Sequence, residues 1–150
     1  MKISEIMTTN PEIITPEQPI REAAQLMLRA DTGALPVGEG DKLIGMVTDR
    51  DITVRAVAEG RGPDTPVREV MSEKLLFAWD DQDVDEVAIQ MSDAQVRRFP
   101  VISRQDEKLV GIVSLGDLAQ ADDDTRQAAE VALAGISEPG GDHNQSEDDQ

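Results

Sequence analysis

GMVTDRDI (residues 45–52) and GIVSLGDL (residues 111–118) decide how this chain is read. Each runs glycine, two apolar residues, a hydroxyl residue, two variable positions, an aspartate and an apolar residue. A device of this kind occurring twice in 150 residues points to an internal duplication, which is sought before individual elements are assigned.

Sliding the chain on itself extends the match in both directions. At a shift of 64, ISEIM (3–7) lies over VREVM (67–71), and Ile20, Ala23, Ala24 and Met27 lie over Val84, Val87, Ala88 and Met91. LPV (35–37) lies over FPV (99–101). Two extra residues in the polar stretch SRQDEK then raise the shift to 66, and Leu43, Gly45, Val47 and Asp51 meet Leu109, Gly111, Val113 and Asp117. The gap falls in a turn, where insertions are tolerated. The chain divides into a first repeat over 1–64, a second over 65–121, and an acidic remainder over 122–150.

The coarse elements repeat as well. Ile20, Ala23, Ala24 and Met27, with their counterparts, stand at i, i+3, i+4 and i+7, the stripe of an amphipathic helix. Pro19 suits the first turn of the first of these helices. ALPV and RFPVI predict short strands, with the internal proline suited to an edge or a strand start. KLIGMVT and KLVGIVS predict largely buried strands, and DRDITVRAVAEG a second helix ended by Gly60. The order strand, helix, strand, strand, helix makes an α/β (α+β) fold of two pseudo-symmetric β-α-β-β-α units. A unit of about 60 residues has little core of its own, so two are expected to pack sheet to sheet. RGPDTP (61–66) reads as the linker between them. AQADDDTRQAAEVALAGI reads as a helix capped by Asp124 or Thr125, and SEPGGDHNQSEDDQ, which holds the sole histidine, His143, as a disordered solubilising tail.

Composition narrows the function classes. The net charge of −17 repels nucleic acid and anionic membranes, because phosphate binding on that scale needs clustered Lys and Arg. No cysteine is present, which removes disulfides, thiolate metal sites and thiol nucleophiles. MKISEIMTTNPEI has no apolar h-region, and no apolar run approaches the length of a membrane span, so a soluble cytoplasmic protein is expected. With no Tyr, no Cys and one His near the end of the chain, catalysis is not expected. The acidic run 122–124 is read as a solvated helix start, not a dedicated metal site.

The repeated device admits two readings. Thr48 with Asp51, and Ser114 with Asp117, have the spacing of a capping box at a strand-to-helix junction, and a cap worth about 1 kcal/mol explains each occurrence by itself. The same geometry offers a hydroxyl to a phosphate oxygen and a carboxylate to the vicinal diol of a ribose, as acidic residues do in dinucleotide folds. The glycine ahead of the apolar pair would let a flat base approach the backbone. Asp49 and Asp51 read as partners of the helix dipole and not as an acid–base pair.

The duplicated LPV and G-h-h-T/S-x-x-D-h pattern (h, apolar) resembles a tandem pair of cystathionine-β-synthase (CBS) domains, over about residues 1–120. TGALPV, TDRDI and QVRRFPVI are similar to the stand-alone paired-CBS proteins of bacteria, including the hypoxic-response type. The resemblance implies a non-catalytic Bateman module that senses an adenosine-containing ligand (AMP, ADP, ATP, NAD or S-adenosylmethionine) in clefts between its repeats. It also implies a homodimer that signals to a regulated partner protein in trans. No cofactor is required, and Mg²⁺ would arrive only with a polyphosphate. The implied contacts are Asp51 and Asp117 to the ribose, Thr48 and Ser114 near the phosphate or ribose, and Met46 and Ile112 to the base. Arg97, with Arg98 beside it, and Arg50 would reach phosphate. Gly33 stands in the first repeat where Arg97 stands in the second, so phosphate binding is expected to be asymmetric. The rival function is a dimeric interaction module in which the TxxD positions act only as helix caps.

Overall fold

The computed structural model describes residues 1–121 and 123–137. In chain order the elements are β1 (Thr8–Thr9), α1 (Ile20–Ala30), β2 (Ala34–Glu39), β3 (Lys42–Thr48), α2 (Asp49–Asp51), β4 (Ala78–Trp79), α3 (Val84–Ala94), β5 (Arg98–Ile102), β6 (Leu109–Ser114), α4 (Leu115–Ala121) and α5 (Asp123–Ile136). Helix α2 continues into a π-wound segment, Ile52–Val57, whose wide turns show in bonds from Ala58 N–H to Thr53 O and from Arg61 N–H to Ala56 O, both 2.9 Å.

The chain forms two compact units. One is Glu12–Leu75; the other joins Met1–Pro11 to the chain from Leu76 onward. These units do not coincide with the sequence repeats. Each break falls eleven residues into its repeat, so the leading segments are exchanged. Thr8 and Ser72 correspond in sequence, yet Thr8 pairs with Ile112 of the second repeat, and Ser72 bridges Met46 of the first. Burial explains the exchange. Ile3 is fully enclosed in the core built by Val84, Val87, Met91, Phe99, Val101 and Val113, and Val67, Val70 and Met71 close the core of Ile14, Ile20, Val37 and Val47.

The strand order is the same in both units. β4 pairs parallel to β5, β5 antiparallel to β6, and β6 antiparallel to β1. In the other unit, Ile14 makes a parallel bridge to Val37 of β2, β2 pairs antiparallel with β3, and Ser72 completes the order as an antiparallel bridge. Gly45 and Gly111 owe their identity to this packing. A Cβ on Gly45 would lie 2.5 Å from the Ser72 carbonyl oxygen, and one on Gly111 2.6 Å from Met7 Sδ and 2.8 Å from Thr8 O. The close approach that the sequence assigned to a base is thus filled by the exchanged segment of the chain.

Two helix expectations change. On α1 the buried stripe is Ile20, Ala23, Leu26 and Met27, and Ala24 faces solvent, whereas all four counterparts on α3 are buried. The difference follows from α5, which lies along α3. Its Ala128, Ala129, Ala132 and Ile136 enter the same core, and Gln95 Nε2 donates to Gly135 O at 2.7 Å. The helical part of the acidic remainder is therefore a core element, which its small residues make possible. Asp122, residues 138–150 with His143, and the side chains of 121 and 123–125, among them the Asp124 or Thr125 read above as a helix cap, lie outside the described residues.

Candidate functional site

Each of the two quoted segments is a strand that ends in a hydroxyl residue and turns into a helix. Thr48 N–H donates to Asp51 Oδ2 at 2.9 Å, and Asp51 N–H donates to Thr48 Oγ1 at 3.1 Å. Ser114 N–H donates to Asp117 Oδ2 at 2.9 Å, and Asp117 N–H to Ser114 Oγ at 3.2 Å. Both are reciprocal capping boxes, and the main chain anchors them alike. Asp49 N–H donates to Gly33 O, and Leu115 N–H to Arg97 O, both at 2.9 Å. Residues 33 and 97, at the entry to β2 and β5, are thereby fixed beside their TxxD or SxxD pair.

Side chains at matching positions make the two copies unlike. Beside Ser114 and Asp117 stand Arg97, which is exposed, and Arg98, half-buried and in register with Ser114 across the β5–β6 ladder. Among the described residues neither arginine has a carboxylate within ion-pair distance, although Arg21, Arg61, Arg68 and Arg104 are each paired with one. The matching positions in the first repeat are Gly33 and Ala34. There the Asp49 carboxylate fills the space, since a Cβ on Gly33 would meet Asp49 Oδ2 at 2.9 Å. Arg50 is exposed, and its N–H donates to Asp49 Oδ1 at 2.8 Å. Met46 and Ile112 are half-buried at matching places on β3 and β6.

Arg55 is the residue that motif reading missed. Its Nε lies 3.9 Å from Asp51 Oδ1, and its Nη1 donates to Val70 O at 3.3 Å and Met71 O at 3.2 Å. Asp51 itself is 6% exposed, while Asp117 is half-buried. The i, i+4 spacing of Asp51 and Arg55 was a readable signal. The carbonyls that hold the guanidinium come from a segment far away in sequence and were not.

Set beside known proteins, the chain matches the CBS domain family over residues 3–57 and again over 67–124. The CBS domain-containing protein YhcV of Bacillus subtilis is 42% identical over 135 residues, covering 90% of this chain and 94% of that one. The crystal structure of Hypoxic Response Protein I, solved with two coordinated zinc ions, superposes with a TM-score of 0.72 at 34% identity, covering 81% of this chain and 99% of that one. The CBS domain pair of protein MJ0100, in complex with 5′-methylthioadenosine and S-adenosylmethionine, superposes with a TM-score of 0.70 at 29% identity over 80% of this chain and 94% of that one. The class defined by duplicated units and paired caps is thus the tandem CBS protein. This chain belongs to the CBS domain family.

Proposed function

We propose that the protein is a non-catalytic regulatory module that binds an adenosine-containing ligand and passes the resulting conformational bias to a partner protein. The observation that carries this reading is a pair of arginines, Arg97 and Arg98, that have no ion pair among the described residues and whose main chain is held beside Ser114 and Asp117. In a chain of net charge −17, two guanidinium groups with no ion pair among the described residues are suited to an incoming anion, which their planar forks can grip in bidentate fashion. The adenosine ligands of the MJ0100 domain pair support the ligand class. The candidates are AMP, ADP and ATP, then NAD and S-adenosylmethionine, with Mg²⁺ only as companion of a polyphosphate. The working form is a cytoplasmic homodimer acting in trans on a regulated protein, without nucleic acid or membrane as partner. Among the described residues no helix is long and apolar enough to cross a membrane.

This chain has no cysteine, and among its described residues no three His, Cys, Asp or Glu side chains gather as a metal set. The rival reading, an interaction module whose motifs are only caps, draws on the closed capping boxes in both repeats. Titration calorimetry with AMP, ADP, ATP (with and without Mg²⁺), NAD and S-adenosylmethionine separates the two. Saturable binding is expected, with about 2.7 kcal/mol of added stability at a ligand concentration 100-fold above Kd. A folded protein that gives no heat with any of them would move the assignment to the interaction module.

A further inference from the structure

We infer that Trp79, with Phe77 edge-on to it and the Asp81 carboxylate beside it, forms a receptor for an arginine of a basic partner protein, and that Arg104 of this chain fills the receptor until the partner arrives. The inference takes from the reading above only that a partner protein is bound; the adenosine ligand plays no part in it. The receptor also stands apart from the paired caps. Trp79 is in register with Ile102, the last residue of β5, whereas Arg98 at the other end of that strand is in register with Ser114.

One run of sequence supplies the aromatic part. In LLFAW (75–79) Ala78 is in the core and Leu76 packs against it, while Leu75 is exposed and Phe77 and Trp79 are half-buried, the alternation of an extended chain. The chain has two Phe, one Trp and no Tyr, and two of these three rings stand here. Their centroids are 5.0 Å apart with the planes at 87°, an edge-to-face pair that leaves a face of the indole for another group. That group is Arg104. Its Cζ lies 4.7 Å from the Trp79 centroid, and its Nε donates to Asp81 at 2.9 Å to Oδ1 and 2.7 Å to Oδ2. An aromatic face with a carboxylate at its side is the combination that recognises a guanidinium. The first repeat has no counterpart: Ile13, Thr15 and Glu17 stand at the matching positions, and Glu17 is paired with Arg68.

Arg104 is a replaceable occupant. Its side chain is 53% exposed and that of Asp81 43%, and at such exposure an ion pair or a cation–π contact holds a side chain weakly. It sits in the turn between β5 and β6, which is two residues longer than the matching turn of the first repeat. Its backbone N–H donates to Asp80 Oδ1 at 3.1 Å, so the main chain stays anchored when the side chain leaves. A partner's arginine in the same place would be covered by the partner and shed its water, which strengthens both contacts; Trp and Arg dominate interface energies for this reason. Charge selects the partner. Residues 80–86 carry Asp80, Asp81, Asp83, Asp85 and Glu86 and no basic side chain, in a chain of net charge −17. A basic segment is drawn to this place and an acidic one repelled.

The test is fluorescence anisotropy of a short labelled arginine-rich peptide, and of the same peptide with lysine at each arginine, titrated with the full chain. Arg104→Ala vacates the receptor and is expected to tighten the arginine peptide by tenfold or more. Arg21→Ala is the control. It removes the same charge from another exposed pair, that with Asp64 in the other unit, and should tighten the peptide by less than twofold. Adding Asp81→Asn or Trp79→Leu to Arg104→Ala should cancel the gain, and Asp81→Asn changes an exposed side chain that the core does not need. The lysine peptide, which has no planar group to stack, should gain less than threefold from Arg104→Ala. Equal tightening by Arg104→Ala and Arg21→Ala would overturn the receptor and leave only the general attraction of an acidic chain for a basic peptide. A gain that survives both Asp81→Asn and Trp79→Leu would overturn it too, and equal gains for the two peptides would overturn the choice of arginine. Calorimetry with AMP on Arg104→Ala should match wild type. A loss of AMP affinity in that variant would place Arg104 in the ligand site and overturn the receptor, whereas no AMP binding to either protein would remove the adenosine reading and leave the receptor to the peptide result.

Discussion

The first repeat ends its TxxD turn on a buried aspartate whose carboxylate lies 3.9 Å from Arg55, and the second ends its SxxD turn on a half-buried aspartate beside two arginines that have no ion pair among the described residues. Strand order, the bonds of the capping boxes and the anchoring of residues 33 and 97 are common to both. What differs is the side chains that stand around that frame. A duplicated backbone can therefore keep one geometry in two settings, since the cap is satisfied by main-chain bonds while charge and burial are set by a handful of neighbours.

The comparison breaks most sharply at the aspartates. Asp51→Ala should destabilise by about 2–3 kcal/mol, a lost cap together with the loss of the carboxylate beside the part-buried Arg55 guanidinium. Asp117→Ala should cost about 1 kcal/mol, the worth of a cap. Urea denaturation of both variants checks this, and equal losses would mean that the neighbouring Arg55 adds nothing. The next largest effect tests α5, which follows the second repeat and packs in its unit. A methyl group at Gly135 would fall on Ser92, with the Ser92 Cα at 2.7 Å, so Gly135→Ala should shift α5 off α3 and cost about 2 kcal/mol. A smaller contrast sharpens the point: Ala88→Leu should cost about 1–3 kcal/mol by overpacking, and Ala24→Leu, on the exposed face of α1, less than about 0.5 kcal/mol. Equal tolerance at 24 and 88 would argue that α5 does not cover α3 in solution.

The smallest effect is a pH response confined to the unit that holds Trp79, the sole tryptophan. Arg104 lies 4.7 Å from its ring centroid and bonds to Asp81, which holds the Asp81 carboxyl below its ordinary value chiefly through that side-chain bond. A depressed folded-state value means that the contribution is complete above the unfolded carboxylate range and is lost as pH falls through the lower, folded one. Tryptophan fluorescence should therefore change on acidification below about pH 4, and Asp81→Asn should abolish the change while the capping boxes stay intact.

Much of this protein was legible in its sequence. The repeat, the strands at KLIGMVT and RFPVI, the capping spacing and the lone pair of arginines are local signals, because period, turn chemistry and i to i+3 bonds act within a few residues. Three features were not. Gly45 and Gly111 read as room for a base, but the space is taken by Ser72 and Thr8, which arrive from the other repeat's leading segment. Ala24 and Ala88 read as equals until α5 covers one helix and leaves the other bare. Arg55 read as one more helix-surface charge until the carbonyls of Val70 and Met71 received it. The amino-acid sequence by itself determined the elements, the duplication and the caps. Tertiary structure alone decided which segment completes which sheet and which aspartate is buried. Those outcomes depend on burial and pairing between residues distant along the chain, and no local pattern carries that information.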